Sequence, residues 1–515
     1  MNSRHVLTLI LVSLTLFWPL LFRHVGGDPS VYAYVGSCVA DGYVPYRDAW
    51  DIKSPAIFFQ YALPIWMFGR SDVAVLTFDW LIAVGGAFAL FFTAGRIGGK
   101  AAGLFAGTAW LVAYHRFCTA GWFGQPETAA ALLTTIVLLL AIQPDPLDEI
   151  DSFAGGILVG LLLCYKLPFV LVGLLLVPRL HSAVRRKMGW PALWPGVLGL
   201  TLVVGLVAAY FSFHGSLGDL VEGAVISPSL LTTHMTMPPL WQLQSLGSGL
   251  LTVLTWLPGI IVLACLGAYR FPQASTAERK LVCVALGLML ALVILQTRYF
   301  MYYWILMLPP LCILAGMGAG HLASFIRHHF KFEAVATVLV FALMAAASFP
   351  KAEFYWQSYL FGIRKGDRQA TLAEYATNYG PLERTFRASQ LVGLGERLGS
   401  VTRDGDTILS FDMDPALNFY SGRMQPSRFI YLWALDAPGF ERFGWKREYS
   451  ATIMRKRPAY ILICRENRRP VYESDGLATL RKFPTLRKWI FETYSLSGRV
   501  GPIEVYRRKD YIKAS

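Results

Sequence analysis

The chain has 515 residues, 55% of them hydrophobic and only 16% charged, with a mean hydropathy of +0.45. A soluble domain carries about a quarter charged residues, so this composition excludes an ordinary water-soluble enzyme and points to a chain dissolved mostly in lipid. The net charge of +14 does not call for nucleic acid, because Lys and Arg retained in cytoplasmic loops produce the same excess.

The N-terminus opens with a basic start and an apolar run through Phe22 that lacks an Ala-x-Ala cleavage pattern, which reads as a retained first helix. A helix needs about 20 apolar residues to cross the hydrocarbon core. On that criterion spans are expected near 5–22, 72–95, 101–115, 126–143, 190–213, 247–268, 281–297, 299–322 and 334–349. The run 153–180 is too long for one upright span, and Lys166, Leu167 and Pro168 interrupt it. Proline cannot donate to the helix ladder and pushes its predecessor out of the helical region, so the run splits into two short helices meeting at Lys166. That makes eleven spans. With the N-terminus in the cytoplasm, the most basic short loops (96–100, 179–187, 270–280 and 327–331) then fall inside. Residues 23–71, 116–125, 214–246 and everything after Phe349 fall outside.

After Pro350 charge density rises. Phe354, Tyr355, Trp356 and Tyr359 beside Lys and Arg mark 350–380 as a segment lying along the interface. Beyond it, short apolar segments (Thr407–Phe411, Ala459–Cys464, Ile503–Tyr506) alternate with helix-like stretches at Leu382–Leu398 and Trp445–Arg455. The expected architecture is therefore an α-helical polytopic membrane domain over 1–349, an interfacial linker over 350–380, and a small α/β domain over 381–515 on the outer face.

The polar stretch 23–55 gathers Asp28, Asp41, Asp48 and Asp51 with Arg47 and Lys53. Asp28 follows Gly26 and Gly27 and precedes Pro29, the pattern of an N-cap for a helix over 29–41. A carboxylate there can also act as general base toward an acceptor hydroxyl or amine, and the two roles are compatible. Asp41 and Asp48 read as turn residues beside Gly42 and Pro45. Lys53 lies at the lip of the apolar stretch 56–68, which is too short to span and is interrupted by Pro64. It either snorkels to water or neutralises a lipid phosphate as a point charge, and Asp51 would orient Lys53 or a substrate hydroxyl.

The acid after the first helix, the tyrosines at 32 and 34, and the run Val44-Pro45-Tyr46-Arg47-Asp48-Ala49-Trp50-Asp51-Ile52-Lys53-Ser54-Pro55 resemble the first outer loop of the GT-C glycosyltransferases. The resemblance is to the bacterial branch akin to protein O-mannosyltransferases and the aminoarabinose transferase that modifies lipid A. The chain departs from that pattern at Pro29, which replaces a second acid, and at Ile52 and Ser54, which replace His and Pro. The missing acid removes a ligand from any metal at this position and leaves a divalent cation an open question. Further along, Gly124-Gln125-Pro126-Glu127 offers Glu127 where the family has an acid near a proline; a first-turn acid also suits the helix dipole. The Gly-rich helix ending in Lys166-Leu167-Pro168 points to Lys166 as a contact for phosphate or a buried acid. The run from Arg298 into Tyr302 and Tyr303 matches a segment in which Arg298 clamps a phosphate or anchors at the interface.

The resemblance implies transfer of a sugar, with inversion, from a polyprenyl-phosphate donor to a lipid, glycan or protein acceptor outside a bacterial inner membrane. Asp28 and Asp51 are its catalytic candidates, Lys53, Lys166 and Arg298 its donor-phosphate candidates, and Tyr32, Glu127 and Tyr303 its substrate-binding candidates. The alternative is a polytopic transporter or lipid flippase, which also uses broken helices and intramembrane charges. Other patterns are weaker. Asp412-Met413-Asp414 reads as a helix start as readily as a metal motif, and the seven scattered cysteines support neither disulfides nor zinc. His24, His115 and His234 lie on expected outer loops without ligand spacing and read as surface histidines.

Overall fold

The computed structural model describes residues 3–119, 121–185, 189–234, 238–269, 276–330, 388–413, 415–440, 443–465 and 475–512. The expected span 334–349 and the segment 350–380 lie outside these residues. Helix dominates, and the chain divides into two compact units. One comprises Met1–Leu21, Leu76–Ala208 and Met237–Tyr359; the other comprises Phe22–Val75, Ala209–Thr236 and Leu360–Ser515.

In the first unit, small residues decide how the helices approach. Gly99, at φ 81 and ψ 174, breaks Asp72–Thr119, a conformation that glycine adopts without steric cost. The chain then doubles back on itself. A Cβ on Gly103 would collide with the Phe91 carbonyl, one on Gly107 would lie 2.7 Å from that of Ala87, and the Trp110 indole donates to the Ala83 carbonyl at 2.8 Å. The spans expected at 72–95 and 101–115 are thus the two arms of an antiparallel hairpin. A second hairpin turns at Lys166, where helix Glu149–Tyr165 ends in extended backbone (φ −168, ψ 130). The tighter helical stretch Leu167–Leu176 runs back, with Gly155 against Leu176 and Gly173 against Val159.

The expected span 247–268 is instead two helices, Pro239–Trp256 and Pro258–Tyr269, bent by 93°. Pro258 withdraws a donor from the ladder at the break. Helix Pro258–Tyr269 packs antiparallel on Leu308–Phe330 through a reciprocal contact: Gly267 abuts the Leu314 carbonyl and Gly318 abuts that of Leu263. Close backbone approach through glycine is how helices associate where lipid offers no hydrophobic drive. Among the described residues four helices are long and apolar enough to cross a membrane: Asp72–Thr119, Leu167–Arg185, Leu193–Phe213 and Met301–Ile326. The bent pair makes a fifth if counted as one. Ser3–Phe17 and Pro126–Ala141 are apolar but shorter. The chain is a multi-pass membrane protein.

In the second unit, helices Asp28–Ala40 and Ala56–Phe68 pack where Gly36 admits Tyr61, whose Cβ a side chain there would approach to 2.7 Å. Strands β1 (Ile408–Phe411), β2 (Tyr460–Cys464), β3 (Tyr494–Val500) and β4 (Ile503–Arg508) form one sheet in the order β1-β2-β4-β3. The β1-β2 pair is parallel and the other two pairs are antiparallel. The apolar run Tyr460–Ile463 is buried throughout, as a central strand covered on both faces requires. Helices Ala388–Val401 and Ala416–Ser421 meet where Gly395 and Gly399 abut Tyr420 and Ser421.

The reciprocal glycine contact predicts that Gly267→Leu and Gly318→Leu each overpack the pair by about 1–3 kcal/mol. Both should lower the thermal midpoint of the purified protein in detergent, and the double variant should lose less than the sum because the two sites share one contact. Gly287→Leu, where a Cβ meets nothing within 4 Å, is the control. Equal midpoints for all three variants would contradict this packing.

Candidate functional site

In the second unit the helix after the first span starts at Asp28, with Gly27 (φ 64) as its cap and no side-chain capping bond. The expectation that Asp28 caps the helix is therefore corrected. Glycine takes the positive-φ cap, and its carbonyl accepts from the Ser30 amide at 3.0 Å and the Ser30 hydroxyl at 2.7 Å. Asp28 turns elsewhere: its Oδ2 lies 3.8 Å from the Lys53 ammonium, and its side chain is 44% exposed. The Tyr32 hydroxyl, one helical turn on, donates to the same oxygen at 3.5 Å, and Lys53 Nζ sits 5.9 Å from the Tyr32 ring centre. Three of the expected residues, Asp28, Tyr32 and Lys53, thus meet.

Asp51 has a different environment. It is buried, and its Oδ1 accepts from the Tyr431 hydroxyl and from the Ile52 amide at 2.7 Å. Burial raises its pKa to about 6; Lys53, Tyr431 and the Ile52 amide pull the other way. Tyr431 carried no mark in the sequence. Of the remaining acids, Asp41 ends its helix and pairs with Arg70, while Asp48 Oδ2 accepts from the Val44 amide at 2.8 Å and pairs with Arg47 at 2.8 Å. Both hold turns, as expected.

Two histidines depart from the surface reading. His24 Nδ1 lies 2.7 Å from Asp72 Oδ2, with the histidine side chain only 9% exposed, and Tyr420 donates to the other Asp72 oxygen at 2.7 Å. The separation of 48 residues between the partners concealed that pairing. His115 is buried inside helix Asp72–Thr119, because that helix runs four residues beyond its expected end. His234 is exposed.

In the first unit the polar groups gather where helices start or break. Glu127, in the first turn of helix Pro126–Ala141, is fully buried. Its Oε1 accepts from Lys166 at 3.1 Å. Lys166 also donates to Gln296 Oε1, whose amide nitrogen donates to the Leu292 carbonyl at 3.0 Å. The Tyr303 ring lies 4.2 Å from the ammonium. Glu127, Lys166 and Tyr303 therefore meet, and Gln296 joins them; its signal was a polar residue ending an apolar run. Arg298, two residues on, lies between Thr297 (φ 59) and Tyr299 (φ 51), a left-handed backbone that non-glycine residues rarely adopt. Its Nη2 is buried without a hydrogen-bond partner among the described residues. A separate network joins Asp79 to the Tyr114 hydroxyl at 2.8 Å and the Gly124 amide at 3.0 Å, fixing the turn that leads to Glu127.

Among the described residues no group of three or more His, Cys, Asp or Glu side chains is placed to hold a metal. Asp412 is buried and accepts from the Thr479 hydroxyl at 2.6 Å; Asp414 lies outside the described residues. The chemistry on offer is a partly exposed carboxylate beside an ammonium in one unit, and in the other a lysine held by a buried acid near an arginine with donor capacity to spare.

No family model matches the sequence, and no curated protein sequence does. Solved structures do. ArnT from Cupriavidus metallidurans bound to undecaprenyl phosphate overlaps at a TM-score of 0.57 and 17% identity, covering 98% of each chain. The same protein in the apo state overlaps at 0.59 and 16% identity, covering 97% of each chain. An archaeal oligosaccharyltransferase, AglB from Archaeoglobus fulgidus in complex with an inhibitory peptide and a dolichol-phosphate, gives 0.47 at 10% identity over 99% of this chain and 75% of that one, too low to add weight. At 16–17% identity the likeness is one of fold alone, shared with ArnT over nearly the whole of both chains.

Proposed function

We propose that the protein is a membrane glycosyltransferase that moves a sugar, with inversion, from a polyprenyl-phosphate donor to a lipid, glycan or protein acceptor on the outer face of a bacterial inner membrane. The observation that carries this reading is the Asp28–Lys53 pair, 3.8 Å apart and open to solvent on both sides, with side-chain exposures of 44% and 20%. A structural ion pair would be buried or would lie idle on the surface; this one closes a loop whose other acids are committed to turns or to a tyrosine. The fold shared with ArnT, solved with undecaprenyl phosphate bound, supports the choice of a lipid phosphate as leaving group. The distribution of basic short loops supports the outer placement of residues 23–71 and 381–515.

In the proposed step the acceptor hydroxyl or amine attacks the anomeric carbon, forming the new bond as the bond from that carbon to the phosphate oxygen breaks. Asp28 takes the acceptor's proton, and the bonding pair leaves on the polyprenyl phosphate. Lys53, beside Asp28, is assigned to the phosphate charge, a role that depends on a fixed cation aimed where charge develops. In the other unit Lys166 is oriented by Glu127 and Gln296, and Arg298 has a spare donor. Asp51 serves the reaction by orienting Lys53. A lipid flippase would also use the Lys166–Glu127 pair at a helix break, and it would form no glycosylated product.

Asp28→Asn should lower kcat for sugar transfer by about 10²–10⁴-fold, the span of a lost general base, while binding of undecaprenyl phosphate by the purified protein is retained. Lys53→Ala should instead weaken that binding. Full transfer by both variants would end the assignment.

Asp51 predicts a pH effect on stability. The folded state holds its proton up to about pH 6, whereas the unfolded chain releases it near pH ~4. Folding therefore binds a proton in that window: the contribution is present below about pH 4 and is lost as pH rises through 6. Relative to Asp51→Asn, the wild type should lose on the order of 3 kcal/mol between about pH 4 and 6.5. Thermal unfolding across that range measures it, and parallel curves for the two proteins would refute it.

A further inference from the structure

The loop that carries Lys53 is held by the far end of the chain. The Trp50 amide donates to the Arg428 carbonyl at 2.7 Å, and Trp50 pairs with Phe429 in a short parallel bridge. The Trp50 indole, fully buried, stands edge-on to Trp445 at 5.0 Å and beside Phe429 at 5.9 Å. One residue on, Tyr431 donates to Asp51. Two residues further, the Lys53 carbonyl accepts from the Tyr46 hydroxyl at 2.7 Å. Each residue of the lip is tied to a partner, Ile52 through its amide to Asp51, and the tie at Asp51 comes from 380 residues away.

The two acids of the loop cannot share one task. Asp28 is 44% exposed in its side chain and lies beside Lys53, while Asp51 is buried at 3% and its Oδ2 has no hydrogen-bond partner among the described residues. A carboxylate closed off in this way acts on its own loop. The charged and titratable groups that act on it are Lys53, Tyr431 and Asp28. A hydroxyl donating to a carboxylate makes a charge-assisted bond, stronger than a neutral one, and it selects the ionised form that attracts Lys53. The Tyr431 ring is itself fixed, stacked on Trp433 at 5.3 Å, so its hydroxyl is presented from a rigid platform.

We infer that Tyr431 is a positioning residue for binding of a lipid phosphate: through Asp51 it holds the 50–53 segment so that Lys53 is presented beside Asp28. This rests on the glycosyltransferase reading for the ligand, though not for the loop geometry. It makes the stretch 428–431 and Trp445 an integral part of the Lys53 loop.

The test uses the full-length protein in nanodiscs, with Tyr431→Phe and Asp51→Asn. Phenylalanine keeps the ring stacking and removes only the donor. Hydrogen exchange is measured over residues 49–55, and binding is measured by titration with undecaprenyl phosphate between about pH 5 and 8. Tyr431→Phe should unfold at the wild-type temperature or close to it, speed exchange across 49–55, and weaken binding roughly tenfold. Affinity in Tyr431→Phe should also begin to fall at a higher pH on the acid side than in the wild type, because the ionised carboxylate has lost its donor. In Asp51→Asn that acid-side fall should be absent, and adding Tyr431→Phe to Asp51→Asn should change affinity no further. Unchanged exchange at 49–55 in Tyr431→Phe overturns the inference whatever the binding result. Faster exchange with wild-type affinity overturns it as well. If the wild type itself fails to bind undecaprenyl phosphate while exchange still responds to Tyr431→Phe, the functional reading fails and the positioning of the loop stands.

Discussion

Breaking a helix within an apolar segment leaves backbone groups and side chains that need new partners. At Lys166 the backbone turns extended, yet its amide still reaches the Leu162 carbonyl at 3.0 Å and its carbonyl accepts from the Phe169 amide at 2.9 Å. The ammonium is then matched to a carboxylate, Glu127, which has no exposure of its own. An unpaired carboxylate so placed would cost several kcal/mol. The turn between Glu149–Tyr165 and Leu167–Leu176 and the start of Pro126–Ala141 are therefore linked through one ion pair. Gln296 extends the constraint to the end of helix Thr276–Leu295, and the strained backbone at Thr297 and Tyr299 follows directly. Strain of this kind persists where the surroundings over-determine it.

The second unit solves the opposite problem. Its loop, residues 42–55, has almost no regular structure, and a loop without ladders must find partners for its backbone elsewhere. It finds them in its own turns, at Asp48 and Tyr46, and in the stretch 428–431 close to the sheet. The aromatic cluster around Trp50 supplies the burial that the loop could not achieve from its own residues. Lys53 is accordingly set in place by contacts at Trp50 and Asp51 before it and at its own carbonyl, while its ammonium keeps partial access to solvent.

How much of this was readable in the sequence depended on range. The loop at 96–100 between two spans and the break at Lys166-Leu167-Pro168 are local, and residue types alone implied them. Asp28 and Lys53 were marked by their setting at the ends of a polar stretch between apolar ones. The role of Asp28 as a cap was not readable, because Gly27 could take the same place and only the backbone angle distinguishes them. Tyr431 was invisible for a different reason: its one decisive contact joins positions 380 residues apart, and within its own neighbours it is one more aromatic in a run of them. His24 was misread in the same way, since its partner Asp72 stands 48 residues away. Gln296 is the intermediate case, a polar residue closing an apolar run whose partner could not be named from the run itself.

The same distinction separates the two acids that the loop motif treats alike. Spacing placed Asp28 and Asp51 at either end of one pattern and so grouped them. Burial divides them: a carboxylate at 44% side-chain exposure can exchange protons with a substrate, whereas one at 3% with a pKa near 6 can only change the charge felt by its own loop. A group of the first kind fits proton abstraction and one of the second fits orientation, because a general base must come within hydrogen-bond reach of the proton it takes. Asp51 therefore belongs with Tyr431 and the C-terminal stretch that supplies it, and Asp28 belongs with Lys53 and Tyr32, although all of them except Tyr431 lie on one short piece of chain.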